Sequence, residues 1–146
     1  MSRPNLRSSR FLTLLLCGGV ALGACAEQEE PPGTEADQQG VGAQCSSEQD
    51  CEAFEDENET DEEPLICLDA FKGGYCGQVD CQSHDDCPDG SACVTHDDGV
   101  NYCFLVCQDK AECNVNRDAD NESNCSANIT WVGSDQGKAC VPPSGA

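Results

Sequence analysis

The sequence predicts a small disulfide-rich fold, mostly irregular with short β-hairpins and little helix, built from three tandem four-cysteine units. Three observations predict it. Cysteine supplies 14 of 146 residues, close to a tenth of the chain, which is the composition of a covalent scaffold rather than of a cytosolic enzyme. The spacing C-x5-C occurs three times, as CSSEQDC from Cys45, CQSHDDC from Cys81 and CQDKAEC from Cys107. Each time an acid (Asp50, Asp86, Glu112) stands directly before the second cysteine, so the chain carries an internal repeat. After residue 25 the only large rings are Phe54, Phe71, Tyr75, Tyr102, Phe104 and Trp131, so no sizeable apolar core is expected and sulfur bridges must take its place.

In chain order, Arg3, Arg7 and Arg10 form a positive n-region and Phe11 to Ala24 (FLTLLLCGGVALGA) an apolar stretch of 14 residues. A bilayer-spanning helix needs roughly 20 apolar residues, so this length suits the h-region of a signal peptide covering residues 1–24. The stretch ends in Leu22-Gly23-Ala24-Cys25, which resembles the lipobox of bacterial lipoproteins: an aliphatic residue, two small residues and the cysteine that becomes the new N-terminus. The resemblance implies cleavage before Cys25, a diacylglyceryl group on its sulfur and an acyl chain on its freed amine. Such chains hold a soluble domain to a membrane with about 0.8 kcal/mol per buried methylene. Ala26, rather than Asp, after the lipid cysteine is compatible with sorting to the outer membrane. An ordinary secretory signal releasing a soluble protein is the alternative.

Residues 25–44 are expected to be the lipidated cysteine and a disordered acidic tether, since AEQEEPPGTEADQQGVGAQ has almost nothing to bury. With Cys17 in the leader and Cys25 lipidated, twelve cysteines remain, an even number. They form unit one at 45–76 (Cys45, Cys51, Cys67, Cys76), unit two at 81–103 (Cys81, Cys87, Cys93, Cys103) and unit three at 107–140 (Cys107, Cys113, Cys125, Cys140), before a tail at 141–146. Unit two reads as a hairpin: a Pro88-Asp89-Gly90 turn, Ala92 to Thr95, an Asp98-Gly99 turn and a return strand at Val100 to Phe104. Unit one repeats it with Leu65 to Leu68, a Gly73-Gly74 turn and Tyr75-Cys76, plus the acidic insert Glu52 to Pro64. In unit three, Ile129 to Val132 and a Gly133 to Gly137 turn lead to Cys140. No window has sustained 3.6-residue apolar periodicity.

Four cysteines allow three pairings in each unit, and spacing alone does not choose among them. The pattern of C-x5-C followed by a short hairpin with two more cysteines resembles the Dickkopf N-terminal cysteine-rich domain and similar EGF- or colipase-like modules. The middle unit, CQSHDDCPDGSACVTHDDGVNYC, is closest to it. The resemblance implies first-to-third and second-to-fourth bridges: Cys45 with Cys67, Cys51 with Cys76, Cys81 with Cys93, Cys87 with Cys103, Cys107 with Cys125, and Cys113 with Cys140. It implies a shape rather than a signalling pathway, because the adjacent cysteine pair of the colipase-like relatives is absent and a bacterial lipobox sits badly with such a pathway.

Once the leader is removed, four basic residues remain against 28 acidic ones, a net charge of −24. Such a surface repels nucleic acid and anionic headgroups, leaving the lipid as the expected membrane contact. Its bland reading is solubility. Zinc is not expected, because no C-x2-C pair occurs. Catalysis is not expected either. There is no G-x-S-x-G, an even cysteine count leaves no thiol to activate, and His84 and His96, beside Asp85, Asp86, Asp97 and Asp98, read as solvated loop pairs. Calcium has one weak candidate in Asp118, Asp120 and Glu122, whose alternating oxygens resemble the opening of an EF-hand loop, although Ser123 and Ile129 occupy the positions where that loop needs Gly and Glu. Asn58, Asn121 and Asn128 open N-glycosylation sequons, read as coincidence in a bacterial protein; in a eukaryotic one they would gain meaning and the lipobox would lose it. No cofactor is expected.

The function expected is thus a non-catalytic binding or structural module at the cell surface, with an unidentified protein or surface ligand as partner. Trp131, Tyr102 and Phe104 are the candidate contact residues. The alternatives are a protease inhibitor, with Glu52 to Ile66 or Asn114 to Asn124 as reactive loop, a soluble Dickkopf-like binding protein, and an envelope filler without a ligand.

Overall fold

The computed structural model describes residues 33–52, 54 and 63–145. The signal peptide, Cys25, the tether up to residue 32, Asn58 and most of the acidic insert lie outside the described residues. Within them the fold is disulfide-rich, with short antiparallel strands and only two short α-helices, α1 (Glu35–Gln38) and α2 (Glu48–Glu52).

Each unit builds the same device. Its C-x5-C opener makes one tight turn: α2 in unit one, and 3-10 turns at His84–Asp86 and Glu112–Asn114 in the others. A turn this short leaves its first N–H groups without internal partners, and the repeated acid supplies the acceptor. Asp50 Oδ2 accepts from the N–H groups of Ser46 and Ser47 (2.7 and 3.0 Å). Asp86 Oδ2 does the same for Gln82 and Ser83 (2.7 and 2.9 Å). In unit three Glu112 reaches back to Gln108 N–H (2.6 Å), while Asp109 takes the N–H groups of Ala111 and Glu112. The repeated acid is therefore part of the scaffold.

A hairpin follows each opener: β1 (Ile66–Cys67) with β2 (Cys76–Gly77), β3 (Ser91–Thr95) with β4 (Asn101–Leu105), and β5 (Asn124–Ser126) with β7 (Ala139–Val141). In all three the unit's third and fourth cysteines are direct cross-strand partners, Cys67 with Cys76, Cys93 with Cys103 and Cys125 with Cys140. Six bridges join each opener to that single rung: Cys45–Cys67 and Cys51–Cys76, Cys81–Cys93 and Cys87–Cys103, Cys107–Cys125 and Cys113–Cys140.

Between β5 and β7 runs β6 (Thr130–Trp131), which pairs outside its own unit. Ile129 to Val132 was expected to serve unit three. Instead β6 pairs antiparallel with β3, Val94 opposite Trp131, so unit three completes a three-stranded sheet in unit two. Cys125 has to sit opposite Cys140, which commits β5 to β7 and leaves the intervening segment for a neighbour.

Two further expectations fail. First, an aromatic core exists. Phe71, Tyr75, Tyr102 and Phe104 are all buried, and their rings meet mostly edge to face, with centroids 5.1 Å apart for Phe71 and Tyr102, 5.7 Å for Phe71 and Phe104, and 5.2 Å for Tyr75 and Phe104. Few rings suffice because units one and two place them in one cluster. Second, residues 33–44, read as part of a disordered tether, are ordered. Thr34 and Asp37 form a capping box that starts α1. The segment then runs beside β2, with Gly42 N–H donating to Cys76 O and Cys76 N–H to Ala43 O, and buries Ala36, Val41 and Ala43.

Candidate functional site

The sequence candidates scatter. Tyr102 and Phe104, expected as contact residues, belong to the core, and of the three only Trp131 is partly open, standing edge-on to His84 at 6.0 Å. The calcium candidate comes apart as well. Asp118 accepts from Gln44 Nε2 at 2.9 Å, Glu122 pairs with Lys110, and among the described residues these acids do not gather their oxygens into one group. The closest sulfur clusters, such as Cys45, Cys51 and Cys76, consist of cysteines already bridged, which offer no thiolate to a metal.

The histidines are structural to different degrees. His84 spends both ring nitrogens on backbone. Nδ1 accepts from Cys93 N–H (3.1 Å), so Nε2 carries the hydrogen and donates to Ser134 O (2.7 Å), tying the Gly133 to Gly137 turn to unit two. His96 lies edge-on to Phe71 at 5.2 Å, with Nδ1 3.6 Å from Asp98 Oδ2. That distance is too long for a hydrogen bond; Asp98 accepts instead from Val100 N–H and the Tyr102 hydroxyl, both at 2.9 Å. The Val100 amide first, then that hydroxyl and His96, hold its carboxyl below the usual range. Burial, and then Asp98, push the Tyr102 phenol up to about 12. Tyr75 rises further through burial alone, while its hydroxyl oxygen accepts Leu105 N–H at 3.0 Å.

Loop Asn114 to Asn124 is pinned rather than presented. Arg117 turns inward, donating from Nε to Asn121 O, from Nη1 to Gly42 O and Gly74 O, and from Nη2 to Lys72 O, all within 2.8–3.0 Å. It lies 5.9 Å from the centre of the Tyr75 ring. A guanidinium bound to four carbonyls is not offered to a protease pocket. The other cations of the described residues are also engaged: Lys72 with Asp120 O, Lys110 with Glu122 and Lys138 with Gln108 O. Asn121 of the second sequon donates to Gln44 Oε1, and Asn128 of the third is exposed.

Sequence reasoning missed a cleft. A groove of about 490 Å³ runs between Glu63–Pro64–Ile66 and the segment Gln78 to Gln82. It shares Glu63, Gln78 and Asp86 with a second cleft of about 430 Å³ that adds Glu35, Asp85 and Asp89. The chain itself gave no motif for it, because three distant segments contribute the lining.

No protein-family model matches the chain, and no curated protein and no solved structure is significantly similar to it. The geometry therefore speaks for the molecule without help from relatives, and what it describes is a disulfide-rich small domain of the kind found outside the reducing cytoplasm.

Proposed function

We propose that the protein is an exported lipoprotein: Cys25 carries the lipid, and the bridged domain acts as a non-catalytic binding module at the cell envelope, on the outer membrane given Ala26. The observation that carries this reading is the division of the cysteines. All twelve from Cys45 onward are bridged, so Cys25, at the end of a lipobox-like junction, has no sulfur left to pair with once Cys17 departs with the leader. Six bridges also call for an oxidising compartment.

Intact mass tests the reading. Protein from the native host should lack residues 1–24, carry diacylglyceryl and acyl mass on Cys25, and gain about 12 Da on full reduction, two hydrogens for each bridge. Cys25→Ala should lose the lipid mass and its partition into detergent. Retained Met1, or free thiols in the native protein, would overturn the proposal.

A further inference from the structure

We propose that the cleft beside Val79 docks an extended, cationic segment of a partner protein. The inference rests on the binding-module reading above and names the partner's chemistry.

Backbone is the first argument. Val79 and Tyr102 face each other in an isolated antiparallel bridge, with Cys103 N–H donating to Gln78 O and Asp80 N–H to Asn101 O. In that pairing Val79's own N–H and C=O point away from β4. Among the described residues neither has a hydrogen-bond partner, and Val79 is one of only two large apolar side chains left exposed (37%). The sheet thus ends in an unpaired rung beside a groove, the geometry that receives an added strand.

Charge selects the occupant. Among the described residues the two clefts, which share part of their lining, are lined by Glu35, Glu63, Asp80, Asp85, Asp86 and Asp89 with no lysine or arginine, while Pro64, Ile66 and Val79 supply apolar surface between them. An extended segment alternating basic and apolar side chains meets both features. This chain's own segments are poor occupants: residues 26–32 (AEQEEPP) and 55–62 (EDENETDE) bear only negative charge.

The test uses the mature chain with its bridges intact and Cys25→Ala to keep it in solution. The probe is a fluorescent peptide of about seven residues alternating Lys and Val, compared with its Glu-Val counterpart and with a copy N-methylated at alternate amides, which keeps the charge but loses main-chain bonding. Saturable binding of the Lys-Val peptide, a shifted Val79 amide resonance and no binding of the Glu-Val peptide are expected. N-methylation should weaken binding roughly threefold or more, and the triple variant Glu63→Gln, Asp80→Asn, Asp85→Asn roughly tenfold or more. Asn suits position 80, where φ is +66°. Absence of saturable binding, equal affinity in the triple variant, or an unmoved Val79 amide would overturn the proposal. A roughly tenfold gain on deleting residues 55–62 would do so too, since it would make the acidic insert the occupant. None of these results bears on the lipid at Cys25, whose mass decides the broader reading separately.

Discussion

The two faces of the β3–β4 hairpin are held by different chemistry. Ala92, Val94, Tyr102 and Phe104 form one face, the last three set in the aromatic cluster shared with Phe71 and Tyr75. One residue along, Cys93 and Cys103 point the other way and form a separate small cluster with Cys81, against which Cys87 and Val132 pack. The alternation of a strand makes the split unavoidable. The ring face gains its stability in the folded state, from contact and dehydration; the sulfur face gains it chiefly by restricting the unfolded chain. A protein assembled from units too small for a core of their own thus uses bridges within units and rings between them.

The largest effect should come from the ring face. Phe104 is fully buried between Phe71, Tyr75 and Tyr102, so Phe104→Ala is expected to cost about 3–5 kcal/mol in urea unfolding under oxidising conditions. A loss below about 1 kcal/mol would show that bridges alone hold the fold. On the sulfur face, replacing Cys81 and Cys93 together by Ala opens a bridge with a sequence separation of 12. The expected cost is about 3 kcal/mol, with the aromatic near-ultraviolet circular dichroism retained because the rings lie on the opposite face. Collapse of that signal would mean the two faces are not independent.

The sulfur face was far more legible in the sequence than the ring face. C-x5-C with its acid announced the openers, and Asp98-Gly99 announced the β3–β4 turn, where Gly99 has φ +83°. These are local signals, each spanning a few residues. The ring cluster is not local: Phe71 and Tyr75 flank a two-glycine turn in unit one, Tyr102 and Phe104 sit on β4, and no spacing rule joins them. For the same reason Thr130–Trp131 read as unit three's strand although it serves unit two. Residues 33–44 looked too polar to fold, yet Ala36, Val41 and Ala43 are small enough to pack while Gly40 and Gly42 take left-handed backbone. The cleft at Val79 was illegible because its unpaired rung is a property of the sheet and its acids resemble any other solvated acids.

Arg117 supports the ring face from outside. Its guanidinium connects carbonyls of residues 42, 72, 74 and 121, and half-burial lowers its affinity for the proton. Arg117→Met keeps the stem but leaves those carbonyls without a donor, an expected loss of about 1–3 kcal/mol. It should also speed amide exchange at Gly42 and Cys76 more than at Cys93 and Cys103. Uniform acceleration would place Arg117 in a global rather than a ring-side role.

The smallest effect belongs to the sulfur side and depends on pH. Asp50 and Asp86 have carboxyls held below the ordinary range, first by the N–H groups of Ser46 and Gln82 respectively, then by those of Ser47 and Ser83. A carboxyl with a depressed folded-state pKa stabilises the fold above its unfolded value, about 3.9, and that contribution disappears as pH falls through the folded value. The wild type should therefore lose stability on acidification from about pH 5 downward, and the Asp50→Ala, Asp86→Ala double variant should show a shallower slope across that window. At low enough pH the two proteins should converge, since a protonated carboxyl is a weaker acceptor for those amides. Thermal unfolding of both proteins at closely spaced pH values, with bridges intact, measures the slopes. Parallel curves would mean that the repeated acid, although bonded to the opener in units one and two, contributes nothing to holding the sulfur face, and that the bridges fix that turn unaided.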